Sequence, residues 1–454
     1  MALKADHTIY AVSTGRGRSG IAVIRISGPC CNATVETVAQ GVPEPRKAVL
    51  RWLCDPDTGE RLDQGLVLWM PGPSSFTGED SAEFHVHGGS AVVSAILAVL
   101  GRLDGLRPAG PGEFTRRAFS NGKLDLTQVE GLADLINAES EAQRRQALRQ
   151  TQGVIAQAYE NWRRELLHCL AYFEAEIDFP DESDVPADVT SALNRALGDL
   201  RASIERSLND ERRGERLRDG LQVVIAGRPN VGKSSLLNAL AQRDAAIVSE
   251  TAGTTRDVVE VHMDLKGYPV VLADTAGLRE TGDTVEHEGV ARARVRLEDA
   301  DLVLWVTDPE DVIDDRPSDI AACAHVIEVL NKSDLLGESG GRHGLTVAPD
   351  GDETRTAISV KTGDGLGDLI SLVAARAGDA FCDGENSVVT RERHRKALQD
   401  CLAHLAAAQS GWESGAELVA EDLRLAARAL GRVTGRVDVE DLLDLIFRDF
   451  CIGK

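Results

Sequence analysis

The sequence predicts a multidomain protein of mixed α/β and α class: an N-terminal α+β domain, a discontinuous helical domain, and an α/β domain with a phosphate loop inserted into the helical one. Three observations predict it. Strand-like apolar runs recur between helical or loop stretches over residues 217–377, the alternation of an open sheet covered by helices. A Gly-rich phosphate-loop spelling follows the first of those runs. Helical texture lies on both sides of this unit, and the amphipathic helices after about residue 378 need a partner surface to bury their apolar faces.

Residues 1–120 mix short β-like runs, such as "GIAVIRISG" (20–28) and "GLVLWMPG" (65–72), with Gly/Pro turns, and a helix is expected over "SAVVSAILAVLGRL" (90–103). From 121 turn residues become scarce. Apolar positions such as Leu132, Leu135, Ile136 and Ala142 fall at helical spacing, and long helices are expected to about 216. The period then switches. "LQVVIAG" (221–227), "YPVVLADT" (268–275), "DLVLWVTD" (301–308), "HVIEVLNKSD" (325–334) and "RTAISVK" (355–361) are expected strands. Helices return after 378, so the expected domains are 1–120, 121–216 with 378–454, and 217–377.

At 454 residues the chain exceeds one ordinary domain, and a 43% hydrophobic share supports real cores. No apolar run reaches the length of a membrane span, and "MALKADHTIYAVSTGRG" lacks a signal-peptide core. The eight cysteines are scattered without a C-x-x-C pair, so a cytoplasmic, reducing location with no membrane partner is expected. A net charge of −23 argues against a general nucleic-acid coat. Local RNA contact is left to "QRRQALRQ" (143–150), "RRGERLR" (212–218) and "RERHRK" (391–396), each expected first of all to be a solvated helix face.

"GRPNVGKSS" (227–235) sits between a strand and a helix, the context that a G-x-x-x-x-G-K-[ST] loop requires. Its glycines let backbone N–H groups of Asn230, Val231, Gly232, Lys233, Ser234 and Ser235 approach phosphates. Lys233 reaches the β- and γ-oxygens, and the Ser234 hydroxyl suits Mg²⁺. Further along, "DTAG" (274–277) ends a strand, placing Asp274, Thr275, Ala276 and Gly277 at the γ-phosphate and metal. In "NKSD" (331–334), Asn331, Lys332 and Asp334 suit a base pocket. The Asp334 carboxylate accepts from guanine N1–H and the 2-amino group, which adenine lacks. "SVK" (359–361), with Ser359, Val360 and Lys361, closes that pocket. Motifs in this order make a Ras-like P-loop GTPase domain that takes GTP with Mg²⁺. "SETAGTTRD" (249–257) supplies Thr255 to Mg²⁺, with Thr254 beside it.

One part is missing. Leu278 follows "DTAG", so no glutamine stands there to orient water, and hydrolysis needs another polar group and a cation. Glu280, Glu286 and Glu288 all lie in the following segment, and spacing does not choose among them. The C-terminal "FCIGK" poses a separate question. Gly453 and Lys454 fit a lipidation box badly, which leaves a meaningless tail or a working one.

The G motifs together with "GRGRSGIAVIRISGP" (15–29), "SFTGEDSAEFHVHGG" (75–89), "PGEFTRRAFSNGKLDLTQVEGLADLI" (111–136) and the terminal "CIGK" resemble the MnmE (TrmE) family of tRNA-modification GTPases over essentially the whole chain. The resemblance implies an N-terminal folate-binding domain that dimerises, with the G domain inserted in a discontinuous helical domain. It implies installation of a carboxymethylaminomethyl or aminomethyl group at C5 of the wobble uridine (U34) of certain tRNAs. The implied partner is the flavoprotein MnmG (GidA), in a heterotetramer-type complex, and the implied one-carbon donor is a 5-formyl or 5,10-methylene tetrahydrofolate. Hydrolysis is implied to be K⁺-dependent and coupled to G-domain dimerisation, with Asn230, Ser249, Thr251 and Thr254 at K⁺ and Glu286 positioning water. Arg25, Glu83, Lys123 and Lys454 match folate-pocket positions, and Cys451 is the implied thiol catalyst. His85 and His87 form an H-x-H pair, but two ligands make no metal site, and they are expected to be strand residues on one side. The competing reading is a regulatory GTPase switch, for example in ribosome assembly; a folate-dependent transferase with a vestigial G domain fits poorly with intact Lys233, Ser234 and Asp274.

Overall fold

Period-two alternation builds the N-terminal sheet. A computed structural model describes residues 7–15, 17–178, 187–210, 212–243, 260–274, 296–297, 300–309, 325–336, 346–347, 354–382, 384–412, 415–437, 443, 446–448, 450 and 452–453. Contacts divide the chain into two compact units. One comprises Met1–Ala133, Gln150–Asn194 and Ala403–Lys454, the other Asp134–Arg149 and Arg195–Leu402.

In the first unit, β1 (Thr8–Val12), β2 (Ser19–Ser27), β3 (Val49–Cys54), β4 (Arg61–Met70), β5 (Ser81–Gly88) and β6 (Leu106–Pro108) form one sheet of order β3-β4-β5-β2-β1-β6. Only the β1–β6 pair is parallel. Successive side chains point to opposite faces, so Ile24 and Ile26 of β2, Val67 and Trp69 of β4, and Phe84 and Val86 of β5 share one buried face. The helices Cys31–Ala39 and Ser90–Leu100 supply Val35, Val38, Ile96 and Leu100 to the same core. The opposite face leaves Ile21, Leu50, Trp52 and Leu66 exposed, Ile21 and Leu50 by more than half.

The long helix Val154–Asp178 packs on Ala416–Thr434. Tyr159, Trp162, Leu166 and Phe173 are buried on the first, and Val419, Leu423, Ala426, Leu430 and Val433 on the second, at the spacing of one helix face. Arg424 to Glu174 and Arg436 to Glu160 fasten the pair with charged bonds of 2.9 and 2.6 Å. A third cluster joins Leu126 and Val129 to Leu443, Phe447 and Phe450, so the last helical residues are anchored by apolar burial.

In the second unit, β7 (Leu221–Gly227), β8 (Glu260–Leu265), β9 (Tyr268–Asp274), β10 (Leu302–Thr307), β11 (Val326–Leu330), β12 (Thr346–Val347) and β13 (Thr354–Ala357) give the order β12-β13-β11-β10-β7-β9-β8. β7, β9, β10, β11 and β13 run parallel, with β8 and β12 antiparallel at the two edges. Both faces of a central parallel strand are covered, which explains the unbroken apolar run of Val223 to Ala226. The chain leaves β7 to one side for β9 and later returns to its other side for β10. The carboxyl end of β7 is therefore the switch point of the sheet, where ligands of open α/β sheets bind. The expected strands are all present, and β8 adds one that no apolar run announced. The protein is thus multidomain, with an α+β part, a helical part and a mixed nucleotide-binding-type sheet.

The basic runs differ from the expected solvated faces. Arg395 is buried, donating to Glu215 and Asp210 at 3.0 and 3.1 Å and to the Leu208 carbonyl at 2.9 Å. Arg212 also binds Glu215, at 2.9 Å, while Arg218 and Arg391 share the Asp134 carboxylate at 3.2 and 2.6 Å. Arg144 and Arg145 do remain at the surface, both paired with Glu141. Much of this cationic charge is therefore spoken for within the unit, because a buried guanidinium is tolerable only when paired. Replacing Arg395 by Met is expected to lower stability by about 3 kcal/mol, since Glu215 and Asp210 both lose the buried guanidinium they share. Arg144→Ala, at an exposed pair, is expected to cost under about 1 kcal/mol; urea midpoints of the two variants check both.

Candidate functional site

The phosphate loop begins where β7 ends. Gly227 closes the strand, and the helix Lys233–Arg243 starts six residues later, so the loop's N–H groups and the positive helix end face one place. Gly232 has φ +98, and a Cβ there would lie 2.4 Å from Asn331 Nδ2, so only glycine fits. Lys233 is buried and its ammonium donates to the Arg228 carbonyl at 2.8 Å, across the turn of the loop. Ser234 Oγ donates to Asp274 Oδ2 at 2.6 Å. A hydroxyl and a carboxylate held together at the ends of adjacent elements are the hard-oxygen donors that Mg²⁺ takes. Asn230 stands exposed in the loop at φ 67, a left-handed conformation that asparagine tolerates.

Asn331 ties three loops together. Its Nδ2 donates to the Val231 carbonyl at 2.8 Å, its Oδ1 accepts from Val360 N at 3.3 Å, and its own N–H reaches Thr307 O at 2.8 Å. Asp334 opens outward in the 3-10 turn Ser333–Leu336, and buried Ser359 donates to its Oδ1 at 2.8 Å. That bond orients the carboxylate while leaving Oδ2 for another donor pair. Lys332 binds Asp308 at 2.7 Å, whereas Lys361 and Ser235 are exposed at the pocket's rim. The structure therefore brings together Asn230, Val231, Gly232, Lys233, Ser234, Asp274, Asn331, Asp334, Ser359 and Val360. Ser249, Thr251, Thr254, Thr255, Thr275, Ala276, Gly277 and Glu286 lie outside the described residues.

A second constellation lies on the open face of the N-terminal sheet. Arg25 and Glu83 are register partners on β2 and β5, and Arg25 Nε donates to Glu83 Oε1 at 3.0 Å. His85 Nε2 meets the other oxygen at 3.1 Å, and the Arg25 guanidinium lies over the Phe76 and Phe114 rings at 5.6 and 5.8 Å. Burial works to raise the Glu83 pKa, but His85 and Arg25 outweigh it and hold the carboxyl below its ordinary value. His87 sits two residues on and binds Asp63 at 2.8 Å. Among the described residues no group of three or more His, Cys, Asp or Glu side chains could hold a metal ion. Lys123 is not brought to this pair by any bond; its ammonium donates to the Pro73 carbonyl at 3.1 Å.

The C-terminal tail is seated beside that face. Ile452 bridges Pro111 in antiparallel fashion, and Ser13 Oγ donates to the Gly453 carbonyl at 2.8 Å. Gly453 has φ +100, and a Cβ would lie 2.2 Å from the Val12 carbonyl. Val12 pairs with Ile24 and Ala11 with Arg25, so the tail reaches the sheet one register position from Arg25. Phe447 and Phe450 pack where Gly112 precedes the helix Glu113–Ser120. Burial pushes the Glu113 carboxyl up, but the Arg107 guanidinium, the Gly110 N–H and Arg117 together hold it at about 2. Cys451 and Lys454 lie outside the described residues. His85 and His87 stand on β5, two positions apart and so on one side of it, as expected. Ser13 and Phe114 were missed from sequence: only folding brings Ser13 to the tail, and a helix Phe carries no local signal.

The chain matches a family model of the MnmE helical domain over residues 126–451 and one of the GTP-binding protein TrmE N-terminus over 8–123. It is 55% identical to the tRNA modification GTPase MnmE of Parvibaculum lavamentivorans, covering 98% of this chain and 100% of that one. Identity is 52% to the protein of the same name from Rhodospirillum rubrum, covering 98% of this chain and 99% of that one. It is 50% to a mitochondrial 5-taurinomethyluridine tRNA synthase subunit of Danio rerio, covering 99% of this chain and 93% of that one. A solved G domain of a Thermotoga maritima FeoB iron transporter is 27% identical over 35% of this chain and 98% of its own, with TM-score 0.23.

The geometry at Gly453 sets a direct test. Gly453→Ala forces a side chain into the Val12 carbonyl and is expected to lift the tail, so that carboxypeptidase trims the variant at least about tenfold faster than the wild type. Equal trimming rates would contradict the seat.

Proposed function

This chain belongs to the MnmE family of tRNA modification GTPases, and on that premise we propose that it couples GTP hydrolysis to alkylation of C5 of the wobble uridine of certain tRNAs. The partner in this reading is the flavoprotein MnmG, acting with a homodimer of this chain, and the one-carbon donor is a tetrahydrofolate derivative. The observation that carries it is the seating of the tail beside Arg25 and Glu83 on the open sheet face. A carboxylate suits the N–H donors of a pterin, and the guanidinium suits a carbonyl or a carboxylate tail. The exposed Ile21, Leu50, Trp52 and Leu66 on that face support burial against a second copy. The proposed domains are 1–120, 121–216 with 378–454, and 217–377; the helical family match across 126–451 supports an inserted G domain.

In the nucleotide site, Lys233 and the N–H groups of the loop neutralise the charge that builds on the phosphate oxygens, positioned by the strand and helix that flank them. Ser234 and Asp274 would hold Mg²⁺, with Thr255 as the third donor. Asp334, oriented by Ser359, accepts from guanine N1–H and its 2-amino group. Asn230 fits a K⁺ ligand in residue type and exposure, joined in this reading by Ser249, Thr251 and Thr254. Bound K⁺ would supply the positive charge that an arginine supplies elsewhere. Glu286 orients the attacking water, and Cys451 and Lys454 serve the folate site. In this reading the chain acts in the cytoplasm, where its tRNA substrate is; among the described residues no helix is long and apolar enough to cross a membrane.

GTP turnover is expected to be at least about tenfold faster in K⁺ than in Na⁺ at equal ionic strength, in line with about 1.4 kcal/mol of added transition-state stabilisation. Glu286→Ala is expected to bind GTP and lose hydrolysis, and Glu280→Ala to retain it. In cells lacking the protein, nucleoside mass spectrometry should show the C5-modified wobble uridine missing and restored by the wild type but not by Glu286→Ala. A modified-uridine level independent of this protein contradicts the proposal.

A further inference from the structure

Asp308 is a buried carboxylate in a place where negative charge is unwelcome. It follows β10, whose Val306 pairs with Gly227 at the start of the phosphate loop, so it stands near the polyanion that the loop is built to hold. Its neighbour explains it. β10 and β11 run parallel with Thr307 opposite Leu330, which puts Asp308 beside the Asn331–Lys332 turn. Lys332 holds φ 60, a left-handed conformation rare for a residue with a side chain, and its ammonium binds Asp308 Oδ2 at 2.7 Å. The lysine is thus held at both ends, by a constrained backbone and by an ion pair.

Between those ends lie four methylenes, with the base-reading Asp334 two residues further on and Asn331 bonded to the phosphate loop on the near side. A lysine stem so tethered presents an apolar ridge, and the flat face of a purine needs such a cover. Were bulk alone required, asparagine would serve without adding a charge beside an anion site. The carboxylate is used because only a charged acceptor holds a flexible ammonium in one rotamer.

We propose that Asp308 is a positioning residue of the guanine site, pinning the Lys332 ammonium so that the lysine stem lies over the base. Asp308 touches no phosphate in this role and takes no part in hydrolysis. Its contribution is to the residence time of guanine nucleotide. This deepens the guanine-site reading above and rests on it, so the experiment separates the two.

The probe is N-methylanthraniloyl-GDP released from the full chain with Mg²⁺, followed by stopped flow. Asp308→Asn and Lys332→Met are each expected to speed release about tenfold, equal to about 1.4 kcal/mol. The double variant is expected to release no faster than the quicker single one, because both changes remove one interaction. KM for GTP should rise by a similar factor while kcat changes less than about threefold. Wild-type release from Asp308→Asn, or a double effect near about a hundredfold, overturns the proposal. Should Asp308→Asn fail to fold, Asp308→Glu decides: displacing the carboxylate by one methylene is expected to speed release several-fold, and a wild-type rate overturns it. Asp334→Asn in the same assay tests the site itself. A switch of preference to the xanthosine analogue sustains the guanine reading whatever Asp308 shows, and unchanged guanine preference overturns that reading.

Discussion

A single carboxamide organises the nucleotide side of this molecule. Asn331 leaves the end of β11 and spends its donor on the Val231 carbonyl in the phosphate loop and its acceptor on the Val360 N–H in the third loop. These segments come from distant parts of the sequence, and the bridge adds a direct polar tie between the loops to the sheet and core they already share. The bridge also explains a glycine, because Gly232 has room for no side chain against the same amide. Around it the other bonds fall into order: Ser359 aims Asp334, and Asp308 holds Lys332. A pocket preorganised in this way does not have to form its geometry at the moment of binding.

The other unit solves a different problem, which is how to place a chain end. Termini fray unless tied down. Here burial of Phe447 and Phe450 brings the last helical residues to the helix Glu113–Ser120, and a backbone bridge at Pro111 and the Ser13 hydroxyl carry Ile452 and Gly453 to the sheet. The apolar contacts supply the stabilisation, roughly 2 kcal/mol or more for each buried ring, and the polar contacts supply the direction. This division of labour places Ile452 and Gly453, and the positive φ of Gly453 accounts for its glycine.

Much of the G unit was legible in the sequence, because buried parallel strands are continuous apolar runs and because phosphate and guanine chemistry demand specific residues at strand ends. The edge strand β8 was not, since its "EVHMDL" alternates polar and apolar residues and gives no run. Arg25 and Glu83 were picked out one by one, but that they are register partners follows only from the pairing of β2 with β5. Ser13 and Gly453 are 440 positions apart, a contact no local pattern encodes. The basic runs show the opposite failure. Their charge was plain, yet its pairing crosses segments: Asp134 takes Arg218 and Arg391, and Arg395 binds Asp210 and Glu215, the latter inside the run 212–218. Charge is read from sequence easily, whereas free charge requires the fold.

The account holds that the seated tail serves the modification chemistry and that GTP hydrolysis has its own machinery. The measurement that tests this most directly compares the full chain with one ending at Phe450, scoring GTP turnover in vitro and modified wobble uridine in cells lacking the wild-type protein. The expected result is turnover within about twofold of the full chain together with loss of the modified nucleoside, since the tail lies in the unit that does not carry the phosphate loop. Full restoration of the modified uridine by the shortened chain would contradict the account.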